Sequence, residues 1–233
     1  MTSKQKEETS ITMTVNNLEY KWFGHASIKL IGEKILYIDP FQIPKTFSDA
    51  DIILCTHDHY DHCSIDDIKK VMKETTTLVC PPDCLSKFKG FLVKEIIPVE
   101  PGQEITVKGV SIETIPAYNV NKFRAPGMPF HPKDNYWVGY VVTIGGLRIY
   151  HSGDTDKIPK MNLLHDIDLA FMAVGGTYTM TATEAVEAVL SFRPKKAIPI
   201  HYGSVVGSVQ DAITFREGVS VHKIKSDVMS TFS

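Results

Sequence analysis

THDHYDHC, residues 56–63, places three histidines and two aspartates within six consecutive positions, directly after an apolar run. Imidazoles and carboxylates are preferred ligands of zinc and similar metals. His57 and His59 alternate along an extended segment, so both can reach the same side, whereas the adjacent residues Asp61 and His62 point differently. The spacing therefore predicts a metal site, with room for a second metal nearby, rather than a solvated polar loop.

The composition is that of an ordinary soluble globular protein. The chain has 233 residues, of which 43% are apolar and 22% charged, so a sizeable core is available. A net charge of -2 gives no general attraction to nucleic acid or to an anionic membrane. No apolar run reaches the roughly 18 residues of a membrane span. We therefore expect a small-molecule substrate, and the sequence leaves self-association of the chain open.

Cysteine usage and the start of the chain both predict a cytoplasmic protein. The cysteines are few and irregularly spaced for a disulfide framework, and the polar first ten residues have no apolar core of a signal peptide. The last two cysteines are separated by three residues and have no second pair, which favours buried thiols over a zinc knuckle. The four cysteines are Cys55, Cys63, Cys80 and Cys84.

Hydrophobic patterning predicts the same order of elements twice, after a disordered leader over residues 1–10. Each half of the single domain, 11–233, reads as hairpin, strand, helix and strand. In the first half these are the hairpin 18–40, the strand 49–56, the helix 64–72 with Ser64 as its N-cap, and the strand 75–82. In the second half they are the hairpin 137–154, the strand 166–174, the helix 177–192 and the strand 195–203. Five residues of the first half, beginning with Asp39, recur 115 positions later, beginning with Asp154.

Two such halves predict an α/β fold. Each half supplies a sheet that needs helices on one face and a partner sheet on the other, which gives a four-layer αββα sandwich. Residues 116–136, rich in Pro, Asn and basic residues, lie between the halves. We expect them to form a long functional loop, because structureless segments of this length are otherwise uncommon in compact domains.

The motif His-x-His-x-Asp-His after an apolar strand resembles the signature of the metallo-beta-lactamase-fold superfamily of metal-dependent hydrolases. The resemblance extends to FGHASIKL at 23–30, ILYIDP at 35–40, YHSGDTD at 150–156 and IPIHYG at 198–203. Within the superfamily, the chain is most similar to uncharacterised hydrolases related to sugar-phosphate lactonases and to phospholipase-D-type N-acyl phosphatidylethanolamine hydrolases. The resemblance implies the αββα sandwich, with ligands gathered at one edge between the sheets.

The resemblance also implies two divalent metal ions, zinc first and manganese or iron as alternatives. His57 and His59 match ligands of the first metal, and Asp61 and His62 match ligands of the second. Asp154 matches the carboxylate that bridges the metals, and His201 matches the last ligand of the second site.

One ligand of the first site departs from the family pattern, because Asn119 stands about where a third histidine is expected. Either Asn119 coordinates weakly, or His131 reaches in from the loop, or the first site is incomplete. We favour His131 over the alternative that it is an exposed loop histidine.

Four further residues are candidates for supporting roles. His25 is expected to contact substrate or to be buried and hydrogen-bonded, and Asp39 to orient a metal-binding histidine through its second ring nitrogen. His151 either supports the site or packs in its strand. Lys133, together with the loop residues Lys122 and Arg124, could attract an anionic group.

The function implied is hydrolysis by a metal-activated hydroxide, with Asp61 holding metal and water, on a phosphodiester, phosphorylated lactone or related ester. Motifs for serine nucleophiles, Walker loops and dinucleotide binding are absent from the sequence. Two alternatives stay open: an iron-dependent redox enzyme on the same fold, and a catalytically silent metal-binding protein.

Overall fold

The structure is a computed structural model that describes residues 13–15 and 18–232. The predicted leader, 1–10, lies outside the described residues.

The first sheet has seven strands in sequence order. The first four are antiparallel neighbours, and the last four run parallel to one another. The strands are β1 (Met13–Val15), β2 (Leu18–Gly24), β3 (Ser27–Ile31), β4 (Ile35–Ile38), β5 (Ile52–Leu54), β6 (Thr77–Cys80) and β7 (Glu95–Pro98).

The second sheet has six strands in the order β15-β14-β13-β12-β9-β8. β13, β14 and β15 are parallel, and the remaining pairs are antiparallel. The strands are β8 (Glu104–Val107), β9 (Val110–Pro116), β12 (Val138–Ile144), β13 (Leu147–His151), β14 (Leu169–Ala173) and β15 (Lys196–Ile200), while β10 (Phe123–Ala125) and β11 (Met128–Pro129) form a separate hairpin.

Three α-helices accompany the sheets: α1 (Ile65–Val71), α2 (Ala182–Phe192) and α3 (Val209–Ser220). Each begins at a side-chain cap, because the hydroxyls of Ser64, Thr181 and Ser208 accept hydrogen bonds from backbone N–H groups of the first turn. The predicted cap of α1 is therefore confirmed. Three short 3₁₀ segments span Pro82–Phe88, Lys133–Asn135 and Pro159–Leu163.

Successive side chains of a strand point to opposite faces of its sheet, and each face packs against a different layer. In β4, Leu36 and Ile38 face the core between the sheets, whereas Tyr37 faces the core beneath α1. Across the central layer, the rings of Tyr20 and Phe171 meet with centroids 5.5 Å apart. On the outer face of the second sheet, the rings of Tyr150 and Phe192 of α2 lie 5.8 Å apart. The predicted αββα sandwich is confirmed.

The two halves share their strand pairing, and the sequence predicted the common order of elements, although in the second sheet the shared pattern also includes β9, which lies before the predicted second half. The series β2-β3-β4-β5-β6 and the series β9-β12-β13-β14-β15 each contain two antiparallel pairs followed by two parallel pairs. Asp39 directly follows β4, and its counterpart after β13 is Ser152, because the N–H of each donates to the neighbouring parallel strand, to Leu54 and Phe171 respectively. Asp154 lies two residues further on, so the predicted match of Asp39 with Asp154 is wrong. The histidines and aspartates of the motif, together with Asp39 and Asp154, nevertheless lie at the carboxyl ends of parallel strands.

Two elements differ from the sequence expectations. The segment 116–136 is more regular than a plain loop, since β10 and β11 pair within it. α3 was not predicted, because its buried residues, Ala212, Phe215 and Val219, form a narrow stripe in an otherwise polar stretch.

All four cysteines are free and buried, as the sequence predicted. Among the described residues, no helix is long and apolar enough to cross a membrane.

Gly139 of β12 is required by close backbone packing. A Cβ added to it would lie 2.6 Å from the carbonyl oxygen of His151 and 2.7 Å from that of Ser152. Because backbone cannot yield as a flexible side chain does, we expect Gly139→Ala to lower the free energy of unfolding by about 1–3 kcal/mol or more, measured by urea denaturation. Thr143→Ala on the same strand is the control, and we expect it to cost about 1 kcal/mol or less. Equal effects of the two variants would contradict the packing argument.

Candidate metal centre

The predicted ligands converge at one edge of the sandwich. Residues 56–62 follow β5, Asp154 follows β13, and His201 follows β15. Parallel strands direct their carboxyl ends to the same edge of a sheet, and the two packed sheets bring these edges together. Segments far apart in sequence therefore meet there.

A first donor cluster consists of His57, His59 and His131. His57 Nε2 lies 3.1 Å from His59 Nδ1, and the three ring centroids are 4.6, 5.1 and 5.1 Å apart. Imidazoles that bind one metal at about 2.0–2.1 Å with tetrahedral angles place their centroids about 5 Å apart. The triangle therefore fits one metal ion, and His131 fills the third corner.

A second donor cluster lies beside the first and contains Asp61, His62 and His201, together with His25. His62 Nε2 is 4.0 Å from Asp61 Oδ2, and the rings of His62 and His201 have centroids 5.4 Å apart. This separation again matches two ligands of one metal.

Asp154 lies between the clusters and faces both. Its carboxylate oxygens are 3.4 Å from His62 Nε2, 3.0 Å from His201 Nε2 and 3.4 Å from His131 Nε2. A tetrahedral site with bonds of about 2.0–2.1 Å has ligand atoms about 3.3 Å apart, so these distances suit shared coordination. The position fits the predicted bridging role.

Unpaired buried atoms support this fit. His62 Nε2, His131 Nε2, His201 Nε2 and Asp154 Oδ1 are buried without a hydrogen-bond partner. Buried polar atoms are nearly always paired in native proteins, and nitrogen and oxygen donors that converge without partners are suited to a cation. The residues present therefore fit a pair of metal ions.

Asp39 fixes the orientation of two of the histidines. It accepts hydrogen bonds from the backbone N–H and hydroxyl of Thr56, and from His62 Nδ1, each at 2.7 Å. The Thr56 hydroxyl donates to Asp39, so it must accept from His57 Nδ1 at 2.9 Å. Because Nδ1 of each ring is committed to an oxygen atom, both imidazoles direct Nε2 into the centre, which is the orienting role predicted for Asp39.

Asn119 performs the same task for His131. Its Oδ1 accepts from the backbone N–H of His131 at 2.8 Å and from His131 Nδ1 at 2.9 Å, and its Nδ2 donates to the carbonyl of Tyr178. Asn119 is thus a support for the loop histidine, in the place where the family pattern led us to expect a ligand.

His25 is buried and contacts both carboxylate and imidazole of the second cluster. Its Nε2 lies 3.0 Å from Asp61 Oδ2, and its ring centroid is 3.8 Å from that of His201. This centroid distance is shorter than the roughly 5 Å of two ligands on one metal. The geometry therefore favours a residue that positions Asp61 and packs on His201.

The other two supporting candidates lie outside the donor clusters. His151 accepts from the Gly153 N–H at Nδ1, and its Nε2 lies 2.9 Å from the carbonyl oxygen of Ala26, so it steadies the turn before Asp154. Lys133 is exposed, and its ammonium lies 5.4 Å from the centroid of the Tyr118 ring.

Burial and neighbouring charges set protonation states that suit metal binding. Burial lowers the pKa of His25 and of His131 to about 4, so both are neutral near pH 7. Burial alone would raise the pKa of Asp61, but the hydrogen bond with His25 and the nearby His62 lower it to about 2. Against the effect of burial, His201 and His62 hold the pKa of Asp154 well below its usual value. Burial alone would lower the pKa of His62, but the carboxylates of Asp154 and Asp39 raise it well above its usual value. Neutral imidazoles and ionised carboxylates are the forms that ligate metals, so His62 would release a proton on binding one.

A cavity of about 330 Å³ opens onto the centre. Beyond the ligand side chains, its wall is mainly aromatic and apolar, with one basic residue. The lining residues are His59, Tyr60, Asp61, Arg124, Phe130, His131, Asp154, Tyr178 and Val205.

Sequence reasoning missed several residues that shape the centre. Trp137 packs against all three rings of the first cluster, at centroid distances of 4.9, 4.9 and 5.5 Å. Asp156 accepts from the backbone N–H groups of Val120 and Asn121, and so anchors the loop that carries His131. The second aspartate of the GDTD sequence at 153–156 was a signal for such a partner.

Comparison with known proteins agrees with this geometry. Residues 25–202 match the model of the beta-lactamase superfamily domain, and they include every ligand position discussed above. The chain belongs to this superfamily. It is also 33% identical over 202 residues to the UPF0173 metal-dependent hydrolase of Thermoplasma acidophilum. The aligned region covers 82% of this chain and 85% of that protein. Membership of the UPF0173 metal-dependent hydrolases follows.

Solved structures of this superfamily share the architecture. A crystal structure of a Parabacteroides distasonis protein, described as a candidate metal-dependent hydrolase, aligns with a TM-score of 0.80 and 30% identity over 95% of this chain and 98% of that chain. The metallo hydrolase Igni18 of Ignicoccus hospitalis aligns with a TM-score of 0.73 and 20% identity, over 93% and 96% of the two chains. The second similarity concerns the fold alone.

Replacing Asp39 tests the orienting network. We expect Asp39→Asn to weaken metal binding about 10- to 100-fold, because the neutral amide no longer fixes the tautomers of His62 and His57. Competition with a chromophoric chelator measures the affinity. Asp168→Asn is the matched control, since Asp168 is also buried but lies before β14, where it pairs with Lys195. An unchanged affinity in Asp39→Asn would contradict the network.

Glu184 ties the loop to α2 and predicts a pH dependence. Partial burial alone would raise its pKa, but hydrogen bonds from Lys122, Thr181 and Asn121 lower it to about 2. Because the pKa is depressed on folding, this stabilisation is present above about pH 4.5 and is lost as the pH falls towards 2. We therefore expect Glu184→Gln to be less stable than wild type at pH 6, with the difference in free energy of unfolding shrinking as the pH falls below about 4.5. Urea denaturation at several pH values measures it, and parallel stability curves would contradict the assignment.

Proposed function

We propose that this chain is a metal-dependent hydrolase that holds two divalent ions between its sheets and cleaves a phosphodiester, a phosphorylated lactone or a related ester. The observation that carries the proposal is the position of Asp154, whose carboxylate faces the donors of both clusters at 3.0–3.4 Å. When bound, a pair of divalent ions lowers the pKa of water towards neutrality and polarises the electrophile.

The first site would consist of His57, His59 and His131, and the second of Asp61, His62 and His201, with Asp154 common to both. This set of imidazoles and few carboxylates suits zinc first, with manganese or iron as alternatives. The paired second nitrogens of His57, His62 and His131 support the assignment, because each ring then offers Nε2 to the centre.

Asp61 is the proposed catalytic residue. Its Oδ2 accepts the hydrogen bond from His25, and its side chain borders the cavity. With its pKa lowered to about 2, the carboxylate is ionised at neutral pH and can orient an attacking water by accepting a hydrogen bond from it. His25 fixes the direction of this carboxylate. The free cysteines support a cytoplasmic location, where thiols stay reduced.

A metal and substrate screen tests the proposal. The purified protein would be stripped with chelator, reloaded with zinc, manganese or iron, and assayed on phosphodiesters, lactones and thioesters, with metal content measured alongside. We expect about two ions per chain and measurable hydrolysis, and we expect His59→Ala and Asp61→Ala to lower the rate by about 100-fold or more. His165→Ala is the control, since His165 is exposed and lies outside the cavity.

The same experiment separates the alternatives. Hydrolysis that persists in both His59→Ala and Asp61→Ala would show that the assigned site is wrong. Stoichiometric iron with oxygen consumption and no hydrolysis would favour a redox enzyme. Metal binding without any turnover would favour a silent metal-binding protein. His131→Ala is expected to lose one metal equivalent while the second is retained.

A further inference from the structure

The cavity wall divides by chemistry into a metal side and an aromatic side. Tyr60, Phe130 and Tyr178 form most of the aromatic side, and the rings of Phe130 and Tyr178 meet edge to face with centroids 4.8 Å apart. An apolar portion of a substrate would be covered by these rings.

Arg124 is the one basic side chain among the described residues that line the cavity. The other two basic residues of the loop are committed elsewhere. Lys122 forms an ion pair with Glu184 at 2.8 Å, and Lys133 is exposed over the Tyr118 ring. The sequence did not distinguish these three cations. In the structure Arg124 is also exposed, but of the three it is the one that borders the cavity.

The guanidinium of Arg124 is held at one side and free at the other. Its Nη2 donates to the carbonyl of Phe130 at 3.3 Å, and its Cζ lies 6.0 Å from the Phe130 ring centroid. A guanidinium carries five N–H donors, so most of them are left for a ligand. Its side chain has no carboxylate partner among the ion pairs of the described residues.

We propose that Arg124 binds an anionic group of the substrate, so that this enzyme prefers amphipathic esters that carry a carboxylate or phosphate apart from the bond that is cleaved. The inference rests on the proposed function and adds the specificity residue. A planar guanidinium recognises either anion through paired N–H donors. The aromatic wall covers the apolar part between this anion and the metal side of the cavity.

The test uses two esters that differ in one charge: mono-4-nitrophenyl glutarate and its methyl ester. We expect wild type to prefer the anionic ester through KM. In Arg124→Gln, KM for the anionic ester should rise about 10- to 100-fold while kcat changes little, and the kinetics of the methyl ester should be nearly unchanged. Arg124→Lys, which keeps the charge, should recover part of the loss. Arg216→Gln, a half-buried arginine of α3 outside the cavity, is the control and should behave as wild type.

Competition with acetate and with inorganic phosphate identifies the favoured anion, and inhibition by it should weaken in Arg124→Gln. Equal changes in KM for both esters would overturn the inference and leave the hydrolase assignment intact. Wild type that binds metal and hydrolyses no ester in the screen would overturn the proposed function itself.

Discussion

Burying an imidazole that offers a lone pair from one nitrogen is costly unless the proton on its other nitrogen has an acceptor. Much of the centre depends on this constraint, since His57, His62 and His131 are almost completely buried there. Asp39 supplies the acceptor directly for His62 and, through the hydroxyl of Thr56, for His57. Asn119 supplies it for His131. The ring faces that point into the donor clusters are therefore fixed by oxygen atoms of residues behind the rings, namely Asp39, Thr56 and Asn119.

The doubled architecture explains how these oxygen atoms and rings come together. The equivalent strands β4 and β13 are followed by Asp39 and Asp154, with Asp154 two residues beyond the counterpart of Asp39. Asp39 is fully buried and occupied by hydrogen bonds, whereas Asp154 is turned towards the donor clusters. The ends of similar strands thus provide a supporting carboxylate in one half and, slightly further along the chain, a carboxylate that faces both clusters in the other.

Local sequence predicted much of the fold and the centre. Regular alternation and capping residues located most strands and the first two helices. The family resemblance pointed to Asp154 and His201, and for Asp154 the end of an apolar strand supported it. The sequence favoured His131 among three options but could not decide between them, because the position of His131 depends on a hairpin and on hydrogen bonds with Asn119, 12 residues earlier. For the same reason, the sequence could not separate Arg124 from Lys133. Side-chain direction in an irregular segment is decided by tertiary contacts.

Residues 116–136 carry both His131 and Arg124, which lie seven positions apart on the hairpin and its exit. One continuous piece of backbone therefore holds a donor of the metal cluster and the cationic wall of the substrate cavity. On the proposed roles of these two residues, a change in the length or anchoring of this piece would alter metal binding and substrate preference together. Substitutions that keep the backbone path would then be the means of changing specificity alone.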